Sequence, residues 1–560
     1  MSSNSEKNTV LLQGTILAVA SIVVRLIGLL YRVPMTRIIG DVGIGYYSTA
    51  FQVYNVILLL SSYSMPQAVS KLMAMRLAKK QYRNANRYFL CALVFSVISG
   101  FIFSSIMYFG ADFIADDMLN ASLAAYSIRM LAPTVFIMSF LGVFRGFFQG
   151  FNNMFPTALS QIFEQIANAI ASIVGAWVLF NQGQKIDLVK GTTDGVYSAA
   201  LGAKGGTIGT FVGALTALVF MIFMFILYYP SLRGAMKKES KKRVFKYSRV
   251  FQDITLMVTP IIASTFIFHI INLIDNGVFG AYMTSIDKKD EYMAIWGVYS
   301  GKYQLLINLP IALATALASS VIPQLSGAVE RRNKGEIREK IDITIRFTTL
   351  LSIPAMVGIA VLGGDLVRLL FGEATTNGEA AHMLLYGCLA VLFFAYATIT
   401  NGILHGLGRM FTTVRNSAIA FVVHIIALIL SLWILGINIY GVVLSYMVFG
   451  LVVSVFNFYS ILESTHFVGN FSKTFFKPIA ASLVMGVVVY LSSYLINMGF
   501  SIIIKSEAVV KLISVLVSIV LGVCVYFICT FMFKSVDESD LVDMPMGGRI
   551  ARLAKKMHLL

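Results

Sequence analysis

Charged residues are scarce in this chain, since Asp, Glu, Lys and Arg make up 13% of its 560 residues. A soluble domain normally carries about 25% charged residues. Hydrophobic residues reach 58%, and the mean hydropathy is +0.80. The shortage of charge therefore excludes an ordinary soluble globular protein.

Cysteine and histidine are also few, at four and six residues. Neither type shows a metal-ligand or paired-disulfide spacing, so we expect no metal site and no cofactor. The chain has no GxxxxGK[ST] phosphate loop, and its longest predicted external segment, 181–198, has no cluster of acids or histidines. We therefore expect neither nucleotide-driven transport by this chain alone nor an enzyme.

Long hydrophobic runs are abundant, and they predict an all-α polytopic membrane protein with about fourteen transmembrane helices. The amino terminus lacks a basic region and a small-residue cleavage site, so we expect the first run to be a retained helix. The predicted spans are 10–34, 44–65, 88–110, 123–149, 156–180, 199–229, 254–282, 294–322, 344–371, 380–406, 412–435, 438–461, 474–497 and 508–533.

Basic residues are concentrated in alternate loops. The loops between spans 2 and 3, 6 and 7, and 8 and 9 are strongly basic, whereas the loop between spans 3 and 4 carries three aspartates and no cation. The positive-inside rule places the basic side in the cytoplasm, together with both termini of a multi-pass protein of the plasma membrane. Topology thus accounts for the net charge of +17, and no nucleic-acid partner is expected.

Two motifs recur along the chain. SMPQAVSK at 64–71 is followed by VIPQLSGA at 321–328, and GVFRG at 142–146 is followed by GILHG at 402–406. These matches in register predict two pseudo-symmetric six-helix lobes, 1–230 and 231–465, then two additional transmembrane helices in 466–535 and a basic tail, 536–560. In transporters built of such halves, the substrate site lies between them.

Several cations fall inside predicted spans, where a charge is costly and is a functional candidate by default. Arg25 and Arg32 lie two turns apart on span 1 and predict a cationic wall that could hold a phosphate-bearing headgroup. Lys302 in span 8 and Arg129 in span 4 are further candidates. Snorkelling to the interface or an internal ion pair is the alternative for each.

Polar stripes follow spans 5 and 7 at helical spacing. Such groups could contact sugar hydroxyls, bind a coupling cation, or hydrogen-bond between helices. As a set, we expect them to line a hydrated cavity. They are Gln161, Glu164 and Gln165 on span 5, and Asn272, Asp275 and Asn276 on span 7.

Longer segments carry a resemblance to a known family: SMPQAVSKLMA, FRGFFQGFNNMFPTALSQIFEQ, LINLPIALATALASSVIPQLS, LLSIPAMVGIAVLGGDLVRLLFG and NGILHGLGR. With these segments the chain resembles the multidrug, oligosaccharidyl-lipid and polysaccharide exporter (MOP) superfamily. Within it, the chain is similar to the polysaccharide biosynthesis branch of Gram-positive MurJ-type lipid II flippases and stage V sporulation protein B. The resemblance implies two lobes around a central cationic cavity, and alternating-access transfer of an undecaprenyl-pyrophosphate-linked glycan to the outer leaflet.

The family's pyrophosphate-binding arginines of span 1 match Arg25 and Arg32. The family's span 8 arginine has no direct match, and Lys302 lies about one turn earlier. Asn168 stands where the branch usually has an arginine. Span 11 has no acidic pair, so a sodium site is not carried over, and a coupling cation and the membrane potential stay open as driving forces.

The resemblance implies lipid II, the peptidoglycan precursor, as the substrate. Another lipid-linked polysaccharide, such as a capsule, teichoic or sporulation glycan, is the nearest alternative. A non-transporting membrane scaffold for cell-wall synthesis is a third, although a scaffold would gain nothing from Arg25 within the bilayer. Export of cationic drugs fits poorly, because it would favour an acidic cavity.

Overall fold

The computed structural model describes residues 2–61, 64–192, 195–239, 244–372, 376–467, 469, 472–503 and 506–535. These residues are 91% helical and contain no strand. The chain divides into two compact units, Met1–Gly297 and Val298–Leu560. The protein is therefore all-helical, as the sequence predicted.

The described residues form seventeen α-helices, joined in places by short π- or 3-10-helical turns. The α-helices are α1 Ser2–Ser61, α2 Met65–Leu77, α3 Tyr82–Phe109, α4 Ala111–Phe113, α5 Ala125–Gly150, α6 Phe155–Lys190, α7 Val196–Lys238, α8 Tyr247–Ser285, α9 Lys289–Val298, α10 Gln304–Glu330, α11 Lys334–Phe371, α12 Asn377–Gly387, α13 Leu389–Gly406, α14 Met410–Ile429, α15 Ile439–Thr465, α16 Lys477–Ile503 and α17 Glu507–Met532.

Eleven helical segments among the described residues are long and apolar enough to cross a membrane. They coincide with eleven of the fourteen predicted spans. The other three predicted spans fall on the two arms of α1 and on α10. The polytopic membrane fold predicted from hydropathy is confirmed.

A single glycine divides the 60-residue helix α1 into two arms. Gly40 has φ 70° and ψ 179°, a backbone conformation outside the helical region. Glycine adopts a positive φ at little cost because it lacks a Cβ atom. The break at Gly40 lies between the first two predicted spans and so separates them without a loop.

Helices α6 and α7 pack closely because glycines line their contact. A Cβ atom on Gly175 would lie 2.5 Å from the carbonyl oxygen of Gly205, and one on Gly209 would lie 2.6 Å from that of Asn168. Small residues let helix backbones approach closely in membranes. This contact buries Asn168 and Ser172 of α6, and the Ser172 hydroxyl donates to the Gly206 carbonyl oxygen of α7 at 2.8 Å.

The segment predicted as the longest external loop is mostly helix. Helix α6 continues to Lys190, and α7 begins at Val196. Asp187 joins them, because its carboxylate accepts hydrogen bonds from the backbone amides of Tyr197, at 3.0 Å, and Ser198, at 2.8 Å. An aspartate that accepts from the first amides of a helix stabilises the beginning of that helix, so Asp187 links the end of α6 to the beginning of α7.

The repeated glycine motifs make the same kind of contact in each unit. In the first unit, a Cβ atom on Gly146 would lie 2.8 Å from the Cβ atom of Val69, which joins α5 to α2. In the second, a Cβ atom on Gly406 would lie 2.9 Å from that of Leu325, which joins α13 to α10. The duplication inferred from sequence therefore has a counterpart in the packing, while the lobe boundaries at 230 and 465 remain predictions. Helix α8 itself packs within the first unit, against α1 and α3.

Candidate functional site

The first arm of α1 carries the two candidate arginines. Arg25 is exposed, and Arg32 is half-buried. Between them lies Gly28, where a Cβ atom would lie 3.2 Å from the side-chain amide nitrogen of Gln165 on α6. The structure thus places the arginine arm of α1 beside the polar stripe of α6.

Two tyrosines that the sequence analysis missed surround Arg32. The hydroxyls of Tyr31 and Tyr47 lie 3.1 Å apart, and both interact electrostatically with the Arg32 guanidinium. Tyr47 belongs to the second arm of α1. The contact depends on the bend at Gly40, so no local sequence pattern pointed to it.

Glu164 of the polar stripe forms a partly buried ion pair. The Arg145 guanidinium donates to the Glu164 carboxylate at 2.6 Å and to the Ser160 hydroxyl at 3.0 Å. Arg145 was not among the candidate residues from the sequence, and it is buried, with 8% of its surface exposed. Pairing with Glu164 explains how a guanidinium is accommodated there.

The two glutamines of the stripe are half-buried. The side-chain oxygen of Gln161 is buried and accepts no hydrogen bond from the residues that the structure describes. Gln165 faces Gly28. Both glutamines have amide groups suited to hydroxyl ligands, since an amide can donate and accept hydrogen bonds.

Asn276 on α8 holds three helices of the first unit together. Its side-chain nitrogen donates to Thr49 at 2.9 Å and to Gln52 at 2.7 Å, both on the second arm of α1. The Tyr292 hydroxyl of α9 donates to the Asn276 side-chain oxygen and also approaches its carbonyl oxygen, at 3.0 Å. Asn276 is fully buried, and this geometry matches the interhelical alternative given above.

The other two candidates on α8 differ in burial. Asp275 is fully buried beside Asn276, whereas Asn272, about one turn earlier, is half-buried. Of the three α8 candidates, Asn272 is therefore the one with accessible surface in this conformation.

Arg129 lies near the beginning of α5, paired with Asp112. The two side chains are 38% and 67% exposed. An exposed ion pair of this kind adds little stability, because water and salt screen it. The pair lies at the same end of the first unit as the loop that carries the three aspartates.

Lys302 belongs to the second unit, in the π-helical turn Tyr299–Tyr303 that precedes α10. Its side chain is buried, with 1% of the residue exposed. The ammonium donates to the Thr376 hydroxyl at 3.0 Å and lies 5.8 Å from the centre of the Phe371 ring. In this conformation Lys302 therefore neither snorkels to the surface nor presents its charge to solvent.

No group of three or more His, Cys, Asp or Glu side chains within the described ranges could hold a metal ion. The polar groups described above in the first unit are arginines, amides and hydroxyls, together with the carboxylates of Glu164 and Asp275. These groups suit the recognition of phosphate and sugar oxygens.

Two family models match the chain. The polysaccharide biosynthesis protein model matches residues 11–329, and the MatE model matches residues 260–430. The first covers more than half of the chain, from the first arm of α1 through α10.

Curated relatives come from Bacillus subtilis (strain 168). The chain is 23% identical to "Lipid II flippase MurJ" over 432 residues, covering 74% of this chain and 76% of that protein. It is also 23% identical to "Uncharacterized membrane protein YabM" over 543 residues, covering 97% and 96%. Identity to "Stage V sporulation protein B" is 22% over 420 residues, covering 74% and 76%.

Solved structures of the same fold include an inward-facing MATE-family multidrug resistance transporter of the MOP superfamily, with a TM-score of 0.62 and 14% identity. That match covers 80% of this chain and 98% of the other. The inward closed form of lipid II flippase MurJ matches with a TM-score of 0.60 and 17% identity, covering 93% and 98%. At these identities the likeness shows the fold alone.

Proposed function

Since the chain belongs to the polysaccharide biosynthesis protein family, we propose that it is a flippase for an undecaprenyl-pyrophosphate-linked glycan, with lipid II as the substrate. It would carry this lipid from the inner to the outer leaflet of the plasma membrane, with both termini in the cytoplasm. The observation that carries the proposal is the pair Arg25 and Arg32 on the arm of α1 that contains the first predicted span.

An exposed arginine within a span supports a hydrated surface, because a guanidinium in hydrocarbon is costly. Arg25 would attract the pyrophosphate, since guanidinium groups form paired, charge-assisted hydrogen bonds with phosphate oxygens. Arg32, which interacts electrostatically with Tyr31 and Tyr47, would provide a second cation. A positively charged wall would disfavour a cationic substrate by like-charge repulsion.

The polar residues near these arginines would contact the glycan. Gln161, Gln165 and Asn272 retain accessible surface and have amide groups that suit sugar hydroxyls. Three other residues would support the walls of the cavity without contacting the glycan, because their side chains are paired or buried. They are Glu164, Asp275 and Asn276. Arg129 would act only at the outer end of the path, where it is paired with Asp112.

Alternating access would change which of these groups meets the substrate. Lys302 can contact pyrophosphate only in a conformation that separates its ammonium from Thr376 and exposes it. The isoprenoid tail would remain in the bilayer throughout. Membrane potential or exchange of a coupling cation would drive the cycle, since moving charge across a potential supplies free energy.

A flippase for a different lipid-linked glycan is the second candidate. The similarity to stage V sporulation protein B favours a sporulation glycan among these. A non-transporting scaffold for cell-wall synthesis is the third possibility, which a transport assay tests directly.

The test is the accessibility of lipid II on the cell surface after the protein is depleted and then restored as wild type or as a variant. We expect wild type to restore accessibility and Arg25→Ala to reduce it at least about tenfold, the effect of losing one charge-assisted hydrogen bond pair. Arg25→Lys should retain part of the activity because it keeps the charge. Arg37→Gln, on the same arm of α1, is the matched control and should behave as wild type.

The outcomes separate the candidates. If depletion leaves lipid II accessibility unchanged, lipid II is not the substrate and the other glycans are tested in the same way. If depletion abolishes it but Arg25→Ala restores it fully at equal membrane abundance, the pyrophosphate-binding role of Arg25 is wrong.

A further inference from the structure

A cavity of about 410 Å³ opens in the second unit, where the ends of α10, α13 and α15 meet the beginning of α11. Within the described part of the chain, its lining contains five basic or histidine side chains and no acidic one. These side chains are Arg332, Lys334, Arg338, Arg409 and His466.

The cavity joins three separate connections of the chain. They follow predicted spans 8, 10 and 12, so a fourteen-span topology puts all three on the same, cytoplasmic side. Beneath the cations lie Ile337 and Leu407, which pack against the buried apolar cluster of the second unit. The cavity therefore has a cationic rim, formed by the five basic or histidine side chains, and an apolar floor, formed by Ile337 and Leu407.

Most of the cations are available to a ligand. Among the described residues, Arg332, Lys334, Arg409 and His466 form no ion pair with an acidic side chain. Arg338 is held in place instead, since its guanidinium donates to the Thr465 carbonyl oxygen at 2.9 Å. Four basic or histidine side chains therefore line the cavity, and none of them is paired with an acidic side chain of the described residues.

The Arg409 side chain is not needed to cap the end of α13. The last carbonyls of α13 are already satisfied by backbone amides, that of His405 by Gly408 at 3.0 Å and that of Leu404 by Arg409 at 2.8 Å. The Arg409 side chain is therefore not needed as a cap.

We propose that this cavity binds the phosphate group of an anionic ligand on the cytoplasmic side of the protein. The guanidinium groups of Arg332 and Arg409 would bind its oxygens, and the apolar floor would contact the adjoining carbon atoms. Two sources share this chemistry, the headgroup of an anionic phospholipid and a soluble phosphate compound. The site uses none of the residues assigned to transport and goes beyond the proposed function.

The test uses the full-length protein and two probes. Inorganic pyrophosphate is titrated into the detergent-purified protein at constant ionic strength, and the protein is also placed in phosphatidylcholine nanodiscs with and without phosphatidylglycerol. The melting temperature is the readout for both. We expect at least one probe to raise it saturably, and Arg332→Gln/Arg409→Gln to need about tenfold more of that probe.

Two controls make the result specific. Lys79→Gln/Lys80→Gln removes the same charge from an exposed basic loop of the first unit, and it should respond as wild type. The comparison is repeated in an Arg25→Ala background, because the proposed transport site would bind pyrophosphate too. A response that persists in Arg25→Ala and is lost on adding Arg332→Gln/Arg409→Gln belongs to the cavity and not to the transport site. Should the double variant fail to fold, the single variants Arg332→Gln and Arg409→Gln carry the comparison.

Each outcome decides the proposal. A response to phosphatidylglycerol alone assigns the site to a lipid headgroup, and a response to pyrophosphate alone assigns it to a soluble phosphate compound. The proposal is overturned if neither probe stabilises wild type, or if the Lys79 and Lys80 variant loses as much response as the cavity variant.

Discussion

The polar residues inside this membrane protein differ in whether their side chains are already hydrogen-bonded or ion-paired within the protein. Arg25 and Gln161 retain accessible or unsatisfied groups, whereas Asn276 is fully engaged between helices. Glu164 is intermediate, because it pairs with Arg145 and still has 23% of its side chain exposed. At the residue scale, the question is therefore whether Glu164 stabilises the fold or contacts the substrate.

A double-mutant cycle answers that question. We expect Glu164→Met alone to destabilise the protein by about 2–4 kcal/mol, because it leaves the buried Arg145 guanidinium uncompensated. Arg145→Met/Glu164→Met should recover most of that loss, since an apolar pair of similar volume avoids the desolvation of both charges. The midpoint of thermal unfolding in detergent measures the stability.

The same variants separate structure from transport. If the double variant is stable and active, the ion pair is structural. If it is stable but inactive, Glu164 or Arg145 contacts the substrate. Equal stability of Glu164→Met and wild type would contradict the ion-pair argument.

At the scale of helices, glycines determine which surfaces touch. Gly146 of α5 lies against α2, and Gly406 of α13 lies against α10 in the same manner. A small residue at these positions allows backbone-level contact, and dispersion between closely packed atoms then stabilises the pair. The repeated motif therefore has the same packing role in both units, even though His405 stands in the second copy where Arg145 stands in the first.

Substituting these glycines should show the constraint. We expect Gly146→Ala and Gly406→Ala each to lower stability by about 1–3 kcal/mol, because the new methyl group overpacks against a facing helix. Gly358→Ala, in α11, is the matched control, since a Cβ atom there meets no atom within 4 Å. Alanine should be neutral or slightly stabilising at that position, as it favours the helix.

Thermal unfolding of the three variants in one detergent provides the comparison. A Gly358→Ala variant as unstable as the other two would show that backbone flexibility matters more than close packing. Tolerance of alanine at both Gly146 and Gly406 would mean that the helices shift apart at little cost.

At the scale of the whole molecule, loop charge and helix number together predict the orientation. The three connections that form the basic cavity lie together in the second unit. The basic connections of the first unit also meet, since the Arg83 backbone amide donates to Glu239 at 2.8 Å. Both groupings are consistent with basic loops on one side and aspartate-rich loops on the other.

Cysteine labelling tests the orientation in intact cells, starting from a variant without the four natural cysteines. We expect Asp116→Cys and Lys190→Cys to react with a membrane-impermeant maleimide. Lys79→Cys and Lys334→Cys should react only after the membrane is permeabilised, because the positive-inside rule places them in the cytoplasm. The opposite pattern would reverse the topology.

The candidate site was only partly predictable from the sequence. Arg25 and Gln165 were identified by their residue type and helical spacing, and they do lie on neighbouring helices. The Arg145 and Glu164 ion pair was missed, because its partners are on different helices and only packing aligns them. Lys302 was identified as a charge within a span, but its contact with Thr376 required two distant segments to meet.

The sequence by itself determined the membrane class, the approximate positions of the long apolar helices and the recurrence of the glycine motifs. These properties follow from apolar runs, loop charge and repeated motifs, which are local along the chain. Only the tertiary structure decided which polar side chains neutralise each other, which remain accessible, and that three distant connections enclose a basic cavity. Side-chain pairing depends on how helices rotate and approach one another, and that geometry is fixed by packing between segments far apart in sequence.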